Sequence, residues 1–347
     1  MIHDELIKHG GYHPNYSEEM DYFEKGKIYS IQIEANLACD QGCLYCYASS
    51  ENPSTYELPK KDIIKILNSA ASMSVKAIDW LGGDPLLRKD WDELMKYSNK
   101  KGLINNIWTS GIPLKDKKIA RRLVKLTEGG FISVHLDTLD ESLYKKLHTG
   151  DPKTQIKNIL QGVDNAQNFG KNPVSMINCI TFSKLLFKDV EKTIKFFFEK
   201  KGMRTCLTQM CMTGLAKDHP EWIPNKDEIR HACNIRDQIN YTDSKLSIST
   251  MDASKYYCGA MICITFDGDV TPCSVIRKGF GNINEQSLEK IIEENRKDLL
   301  FLKLREKKNL PESCFSCENN SICWGCRAMA FYESGDIYGI DPKCCKK

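Results

Sequence analysis

The stretch Cys39-Asp40-Gln41-Gly42-Cys43-Leu44-Tyr45-Cys46 places three thiols in a C-x3-C-x2-C run. Thiols this close in sequence can share one loop and hold three irons of a cubic 4Fe-4S cluster, leaving the fourth iron open to a small molecule. Two other readings exist for such a run. Zinc closes on four ligands, most often through C-x2-C pairs, and no fourth Cys or His follows soon after Cys46. Disulfides need an oxidising compartment, whereas the chain opens with Met1-Ile2-His3-Asp4-Glu5-Leu6 and no apolar signal segment. A cytoplasmic protein is therefore expected, and 16 cysteines in a reducing compartment point to metal.

Composition excludes several function classes. Lys and Arg total 49 against 46 Asp and Glu, with the charges interspersed, so no basic face is expected for nucleic acid. The longest apolar patches, such as Phe196-Phe197-Phe198, are core-sized, and no membrane association is expected. With 41% hydrophobic and 27% charged residues, the 347-residue chain can build one large core and a smaller appendage.

Periodicity predicts strands over 28–34, 75–81, 104–109, 131–137, 174–181 and 204–210. Amphipathic helices are predicted over 60–72, 91–101, 115–126, 154–169 and 188–201. Alternation of this kind makes a parallel sheet, either doubly wound or a partial barrel. Unusual residues collect where these strands end: the cysteine run after the first, Gly82-Gly83-Asp84-Pro85 after the second and Thr109-Ser110-Gly111 after the third. His135-Leu136-Asp137 ends the fourth, Asn178 and Thr181 the fifth, and Gln209 with Cys211 the sixth. Barrel active sites gather at such C-terminal strand ends, so one shared pocket is predicted.

These residues resemble the radical S-adenosylmethionine (radical SAM) superfamily, whose members carry C-x3-C-x2-C with an aromatic residue before the last cysteine, here Tyr45, and a G-G-E-P-like segment, here Gly82-Gly83-Asp84-Pro85. The resemblance implies an α/β fold with a partial (β/α)6 barrel of the TIM type. It also implies a cluster on Cys39, Cys43 and Cys46 whose open iron is chelated by SAM. Reductive cleavage of SAM to a 5′-deoxyadenosyl radical and hydrogen abstraction from a substrate would follow. Gly82, Gly83, Asp84 and Pro85 are expected at the SAM amine, and Thr109, Ser110, His135 and Asp137 at its ribose and carboxylate, with Asn178 nearby. Many relatives have Ser-x-Asp-Gly where His135-Leu136-Asp137-Thr138 stands here. Their following Arg has no counterpart, leaving Lys145, Lys146 or His148 as substitutes. A hydrogen-bonded core role is the alternative for His135.

The C-terminal cysteines run Cys258-x4-Cys263-x9-Cys273, then Cys314-x2-Cys317-x5-Cys323-x2-Cys326, then Cys344, with an apparent hairpin at Phe266-Asp267-Gly268-Asp269. This part is similar to a SPASM domain, a small cysteine-rich iron-sulfur extension with two auxiliary 4Fe-4S clusters, making three clusters in all. The resemblance implies Cys258, Cys263, Cys273 and Cys326 for the first auxiliary cluster and Cys314, Cys317, Cys323 and Cys344 for the second. Sulfatase-maturating relatives have a basic Asp after the third auxiliary cysteine. Ser274 stands there, which argues against formylglycine formation.

Five cysteines remain: Cys179, Cys206, Cys211, Cys233 and Cys345. Packing is the default for each, but Cys211, just past the sixth strand, is a candidate hydrogen donor to a substrate radical. The expected divisions are an N-terminal cap over 1–27, the radical SAM core over 28–235 and the auxiliary domain over 236–347. In the cap, His3, His9, His13, Tyr12 and Tyr16 read as surface residues, and fewer than forty residues precede Cys39, too few for a leader-binding module. The expected activity is an oxygen-sensitive enzyme acting on a peptide, a protein side chain or a cofactor precursor and fed by a low-potential flavodoxin- or ferredoxin-type donor. The alternatives are decarboxylation of tetrapyrrole side chains and, from a different class, a non-enzymatic electron carrier or cluster scaffold.

Overall fold

A computed structural model describes residues 16–240, 254–317 and 319–344. After a short helix α1 (Tyr16–Glu24), six β-strands and their helices alternate: β1 (Ser30–Asn36), α2 (Lys60–Ser72), β2 (Ala77–Gly82), α3 (Trp91–Lys100), β3 (Ile104–Trp108), α4 (Lys117–Leu126), β4 (Ile132–His135), α5 (Glu141–Leu147), α6 (Pro152–Asn168), β5 (Met176–Phe182), α7 (Val190–Lys201) and β6 (Arg204–Gln209). The six strands pair in parallel in the order β6-β5-β4-β3-β2-β1. This is the parallel α/β sheet of a partial barrel, with every strand helix-connected as the sequence pattern predicts.

Alternation decides what each face carries. Ile31, Ile33 and Ala35 of β1 enter the core shared with Ile63, Ile66, Leu67 and Ala70, whose spacing makes one apolar stripe on α2. Gln32 and Glu34 then point to the opposite, inner face, as do His135 of β4, Cys179 of β5 and Cys206 of β6. Helix ends follow ordinary chemistry. Asp151 accepts the Thr154 N–H before Pro152 opens α6, and Gly202 at φ 64° closes α7.

The remaining elements are α8 (Lys226–Asn240), α9 (Lys255–Cys258), β7 (Met261–Ile264), β8 (Val270–Thr271), α10 (Leu288–Leu299), α11 (Glu312–Phe315) and α12 (Arg327–Ser334). The predicted hairpin is present as β7 and β8, with Gly268 at φ 92° in its turn. Strand β7 also pairs in parallel with β1, Ser30 opposite Met261 through Ile33 opposite Ile264, so the cysteine-rich region extends the barrel sheet to eight strands.

Two expected divisions shift accordingly. A boundary between 235 and 236 would cut α8, which packs as one helix on α7 and β6. The described part of the N-terminal cap is a tie to the second region: Tyr16 and Phe23 of α1 meet Tyr256 edge-on at 6.0 and 5.0 Å, and Phe23 lies 5.4 Å from Trp324. Tyr16 is therefore buried instead of surface-lying, while His3, His9, Tyr12 and His13 lie outside the described residues.

Candidate active site at the strand ends

The three-cysteine loop leaves β1 and crosses the strand ends toward β4. Gly42 sits at φ 66°, where a Cβ would meet the Thr149 hydroxyl at 2.0 Å. Backbone bonds from Thr149 to Gly42 (3.0 Å) and from Leu44 to Leu147 (2.9 Å) pin the loop to the end of α5. Side chains add to the tether: Gln41 donates to the His135 carbonyl at 2.8 Å and Gln155 to the Asp40 carbonyl at 2.7 Å. Burial pushes the Cys39 thiol up to about 12 and the Cys43 thiol well above its ordinary value, with Asp84 adding to the first and Cys39 to the second. The loop therefore spans the gap between two buried carboxylates, Asp84 and Asp137.

At the β2 edge, Gly82 and Gly83 are required by the chain's own backbone. A Cβ on Gly82 would stand 2.2 Å from the Asn36 carbonyl oxygen, and one on Gly83 2.2 Å from that of Ala38. The N–H groups of Gly83 and Asp84 donate to those same two oxygens at 2.6 Å each. Asp84 is fully buried and its carboxylate is saturated: Oδ2 accepts from the Thr109 hydroxyl (2.8 Å), the Ser110 hydroxyl (2.6 Å) and the Ser110 N–H (2.9 Å), and Oδ1 from the Leu86 N–H (3.1 Å). Burial raises its pKa, and the four donors limit the rise. The hydroxyls of Thr109 and Ser110, expected to face a ligand, are spent inside the protein. Pro85 is buried in the short turn that follows. Asn178 departs further from expectation: its amide bridges the N–H (3.1 Å) and carbonyl (3.0 Å) of Leu136, stapling β4 to β5 with no exposed surface.

The β4 to β6 edge is built differently. Asp137, fully buried, lies 3.3 Å from His135 Nε2 and 3.0 Å from His148 Nε2, and Tyr45 donates its hydroxyl proton to the same carboxylate. The Tyr45 oxygen is 2.8 Å from His135 Nε2, and the Thr181 N–H reaches Asp137 Oδ1 at 2.9 Å. Burial opposes charge on His135, yet Asp137 overrides it and lifts the imidazole to about 10, while the two histidines hold the Asp137 carboxyl well below its usual range. Burial leaves His148 lowered, so His135 carries the proton at neutral pH. His148 stacks on Tyr144 at 4.1 Å, whereas Lys145 and Lys146 are exposed, so of the three suggested substitutes only His148 enters the site.

Strand register sets His135 beside Cys179 and Cys179 beside Cys206. Hydrogen bonds from Cys206 and then His135 bring the Cys179 thiol down to about 6. The packing role expected for Cys179 thus misses a titratable partner of His135, and the signal was a histidine and two cysteines at matching places in successive strands.

In the C-terminal region, Cys263 on β7 faces the lumen, Cys273 follows β8, and Cys326 caps α12 with its N–H on Asp341 Oδ2 at 2.8 Å. The two-residue gap between Cys323 and Cys326 includes Gly325 at φ 70°, its N–H 3.1 Å from Cys323 Sγ. Cys258, Cys314, Cys317, Cys323 and Cys344 are partly buried, and Cys345 lies outside the described residues. Cys211 does not open onto the lumen. It is 5% exposed and packed against Met329, Sγ to Sδ 3.2 Å, among the C-terminal cysteines, which removes the basis for a hydrogen donor there. Ser274 gives its N–H to Gln32 Oε1 at 3.2 Å.

Between the regions opens a cleft of about 230 Å³ lined by Tyr47, Thr213, Phe266, Asp267 and Arg277, among others. Arg277 pairs with the buried Glu34 at 2.7 Å and lies 5.2 Å from the Tyr47 ring. Sequence reading missed this pair, although Glu34 is the one charged residue on the face of β1 that carries Ser30, Gln32 and Asn36. The thiols suit iron-sulfur clusters: they are soft donors, two of them buried and the rest partly buried. Among the described residues no three Cys, His, Asp or Glu side chains close on a single ion. Also among the described residues, no helix is long and apolar enough to cross a membrane.

Comparison with known proteins follows the same division. A family model described as the radical SAM superfamily matches residues 33–197, and one described as the SPASM iron-sulfur cluster-binding domain matches residues 258–318. A Methanosarcina barkeri protein named AdoMet-dependent heme synthase is 25% identical over 344 residues, 90% of this chain and 95% of that protein. A probable GTP 3′,8-cyclase of Methanopyrus kandleri is 26% identical over 186 residues, and the match spans 53% of this chain but only 57% of that relative. Streptococcus suis SuiB bound to S-adenosylmethionine superposes with a TM-score of 0.66 at 20% identity over 95% of this chain and 81% of that one. The anSMEcpe enzyme with AdoMet and a peptide gives 0.67 at 16% identity over 90% and 93%. These two likenesses establish a shared fold.

Proposed function

Because the chain belongs to the radical SAM superfamily and carries a C-terminal SPASM domain, we propose that it reductively cleaves S-adenosylmethionine and abstracts hydrogen from a peptide, a protein side chain or a cofactor precursor. The observation that carries this reading is the docking of the cysteine loop on the β4 end through Tyr45, which sets three partly buried cysteines beside a polar strand-end site. Cys39, Cys43 and Cys46 would hold the initiating cluster, which when bound supplies the electron and an open iron for SAM. Asp137 keeps His135 charged and aimed at the Tyr45 hydroxyl. The Asp84 latch holds the β2 and β3 ends rigid, so that edge can offer a ligand its backbone groups. The eight C-terminal thiols would hold two auxiliary clusters, and a low-potential flavodoxin- or ferredoxin-type protein would reduce the enzyme.

Decarboxylation of tetrapyrrole side chains is the second reading, supported by the near full-length likeness to a protein named as a heme synthase. The cleft's Arg277 and Tyr47 suit a carboxylate and an aromatic face, though a peptide carboxylate would fit them as well. Anaerobic assays with SAM and reductant separate the readings. Release of 5′-deoxyadenosine stimulated by a propionate-bearing tetrapyrrole, with loss of carboxyl groups, selects decarboxylation. Stimulation by a peptide selects peptide modification. No release under any condition would leave the electron carrier standing.

A further inference from the structure

Glu34 is an acid with no exposed surface near the end of β1, and among the described residues Arg277 is the cation that pairs with it. The pair is fixed from both sides. The Phe266 N–H reaches Glu34 Oε2 at 3.4 Å, and the Arg277 N–H donates at 3.3 Å to the Tyr332 hydroxyl on α12, which itself donates to the Val275 carbonyl at 2.8 Å. A buried ion pair adds little stability for the desolvation it costs, so its presence points to a use. Glu34 takes one corner of the guanidinium, Nη1 to Oε2 at 2.7 Å, while Nη2 is enclosed with no hydrogen-bond partner among the described residues. The planar fork of N–H groups matches a carboxylate.

The cleft of about 230 Å³ beside this pair supplies the rest of a site. Tyr47 and Phe266 line it with Arg277, and the largely exposed Tyr56 extends the aromatic wall, its ring 5.4 Å from that of Phe266. Tyr47 directly follows Cys46, and Gly214 is pressed on the same loop, where a Cβ would stand 2.3 Å from the Cys46 oxygen. A group seated here therefore lies against the loop of the initiating cluster. Sites that enclose a whole ligand usually measure about 300 Å³ or more, so this cleft fits one arm of a substrate. Asp267 and Asp269 also line it, but each is engaged locally, Asp267 by the Thr265 hydroxyl and Asp269 by the Asn282 amide at 2.9 Å.

We propose that this cleft receives a carboxylate-bearing arm of the substrate, with Arg277 as the residue that selects it and Tyr47, Phe266 and Tyr56 flanking the apolar or aromatic part next to the carboxylate. This rests on the reading above that the chain acts on a peptide or a cofactor precursor, and it names the group that either must carry. The carboxylate meets the guanidinium on the side that Glu34 leaves open. Its anchoring beside Tyr47 sets the remainder of the substrate at the strand-end site.

The test is a ligand-observed NMR titration of the anaerobically reconstituted full chain, with SAM present, against three probes that share a phenyl ring: 3-phenylpropionate, 3-phenylpropionamide and 2-phenylethylamine. The acid should bind about tenfold or more tighter than its amide, and Arg277→Leu should bring it down to the level of the amide. That variant leaves Glu34 without its cation. If it fails to fold, Arg277→Lys keeps the charge but breaks the fork, and should still weaken the acid several-fold while leaving the amide unchanged. Equal affinity for acid and amide, no binding of the acid, or binding that ignores both Arg277 variants would overturn the proposal. Tighter binding of the amine would overturn it too, handing the cleft to Asp267 and Asp269. Competition by N-acetylphenylalanine or by coproporphyrin then tells whether a peptide or a tetrapyrrole is the source of the carboxylate. Release of 5′-deoxyadenosine from the same unmutated sample is scored separately: a chain that binds the acid yet does not cleave SAM keeps this site and loses the activity proposed above.

Discussion

The two edges of the strand-end site solve the burial of a carboxylate in opposite ways. At β2 and β3, Asp84 is neutralised by hydrogen bonds alone, four donors from Thr109, Ser110 and Leu86, and the result is a closed latch with no side chain left over. At β4 to β6, Asp137 is balanced by charge, with His135 and His148 against it and Tyr45 joining them to the cysteine loop. The first arrangement makes a rigid wall. The second keeps a proton on His135, whose side chain retains 19% exposure, beside a thiol of lowered pKa, and so keeps chemistry available.

Changing each carboxylate to an amide should expose the difference. Asp137→Asn removes the charge that keeps His135 protonated, so burial drives the imidazole neutral and the pair is lost, at an expected cost of about 3–5 kcal/mol of unfolding free energy. Asp84→Asn preserves the shape but sets an amide against donors, with an expected cost of about 1–3 kcal/mol. Urea unfolding of the two variants checks the order, and a larger loss at Asp84 would break the comparison. Gly83→Ala drives a methyl into the Ala38 carbonyl and should cost about 1–3 kcal/mol through overpacking, with SAM cleavage falling because the cysteine loop shifts. If Gly83→Ala cleaves SAM normally, the β2 edge is not coupled to the loop.

The smallest expected effect is in pH dependence. His135 has its folded pKa raised to about 10 from its ordinary 6.5, so its contribution is complete below about pH 6.5 and fades as pH climbs through about 10. Asp137 is depressed, so its contribution is present above about pH 4 and is lost in acid. The stability gap between the native chain and His135→Gln should therefore narrow between about pH 6.5 and 10. A gap that stays flat across that range would show that His135 is not held as a cation.

The strands and crossover helices were legible because their apolar periods are local, and five predicted helices differ from the observed ones by no more than a turn. What escaped depends on distant pairing. Nothing local to Met261–Ile264 announces that it will lie beside β1 more than 200 residues away, and that pairing is what brings Arg277 to Glu34. The cysteine loop could be read directly because its ligands are adjacent in sequence. The roles of Asp84, Thr109, Ser110 and Asn178 could not, since each side chain's partner is set by how neighbouring strands end. Cys211 was placed correctly past β6, but which side it faces is fixed by α12, over a hundred residues later.

Iron content and SAM cleavage measured on the same anaerobically reconstituted sample test the central claim most directly. Three four-iron clusters predict about twelve irons per chain with reductant-dependent release of 5′-deoxyadenosine, and replacing Cys39, Cys43 and Cys46 with Ala should abolish release while about eight irons remain. Release that survives the triple replacement, or its absence from a chain holding twelve irons, would contradict the assignment of that loop as the initiating site.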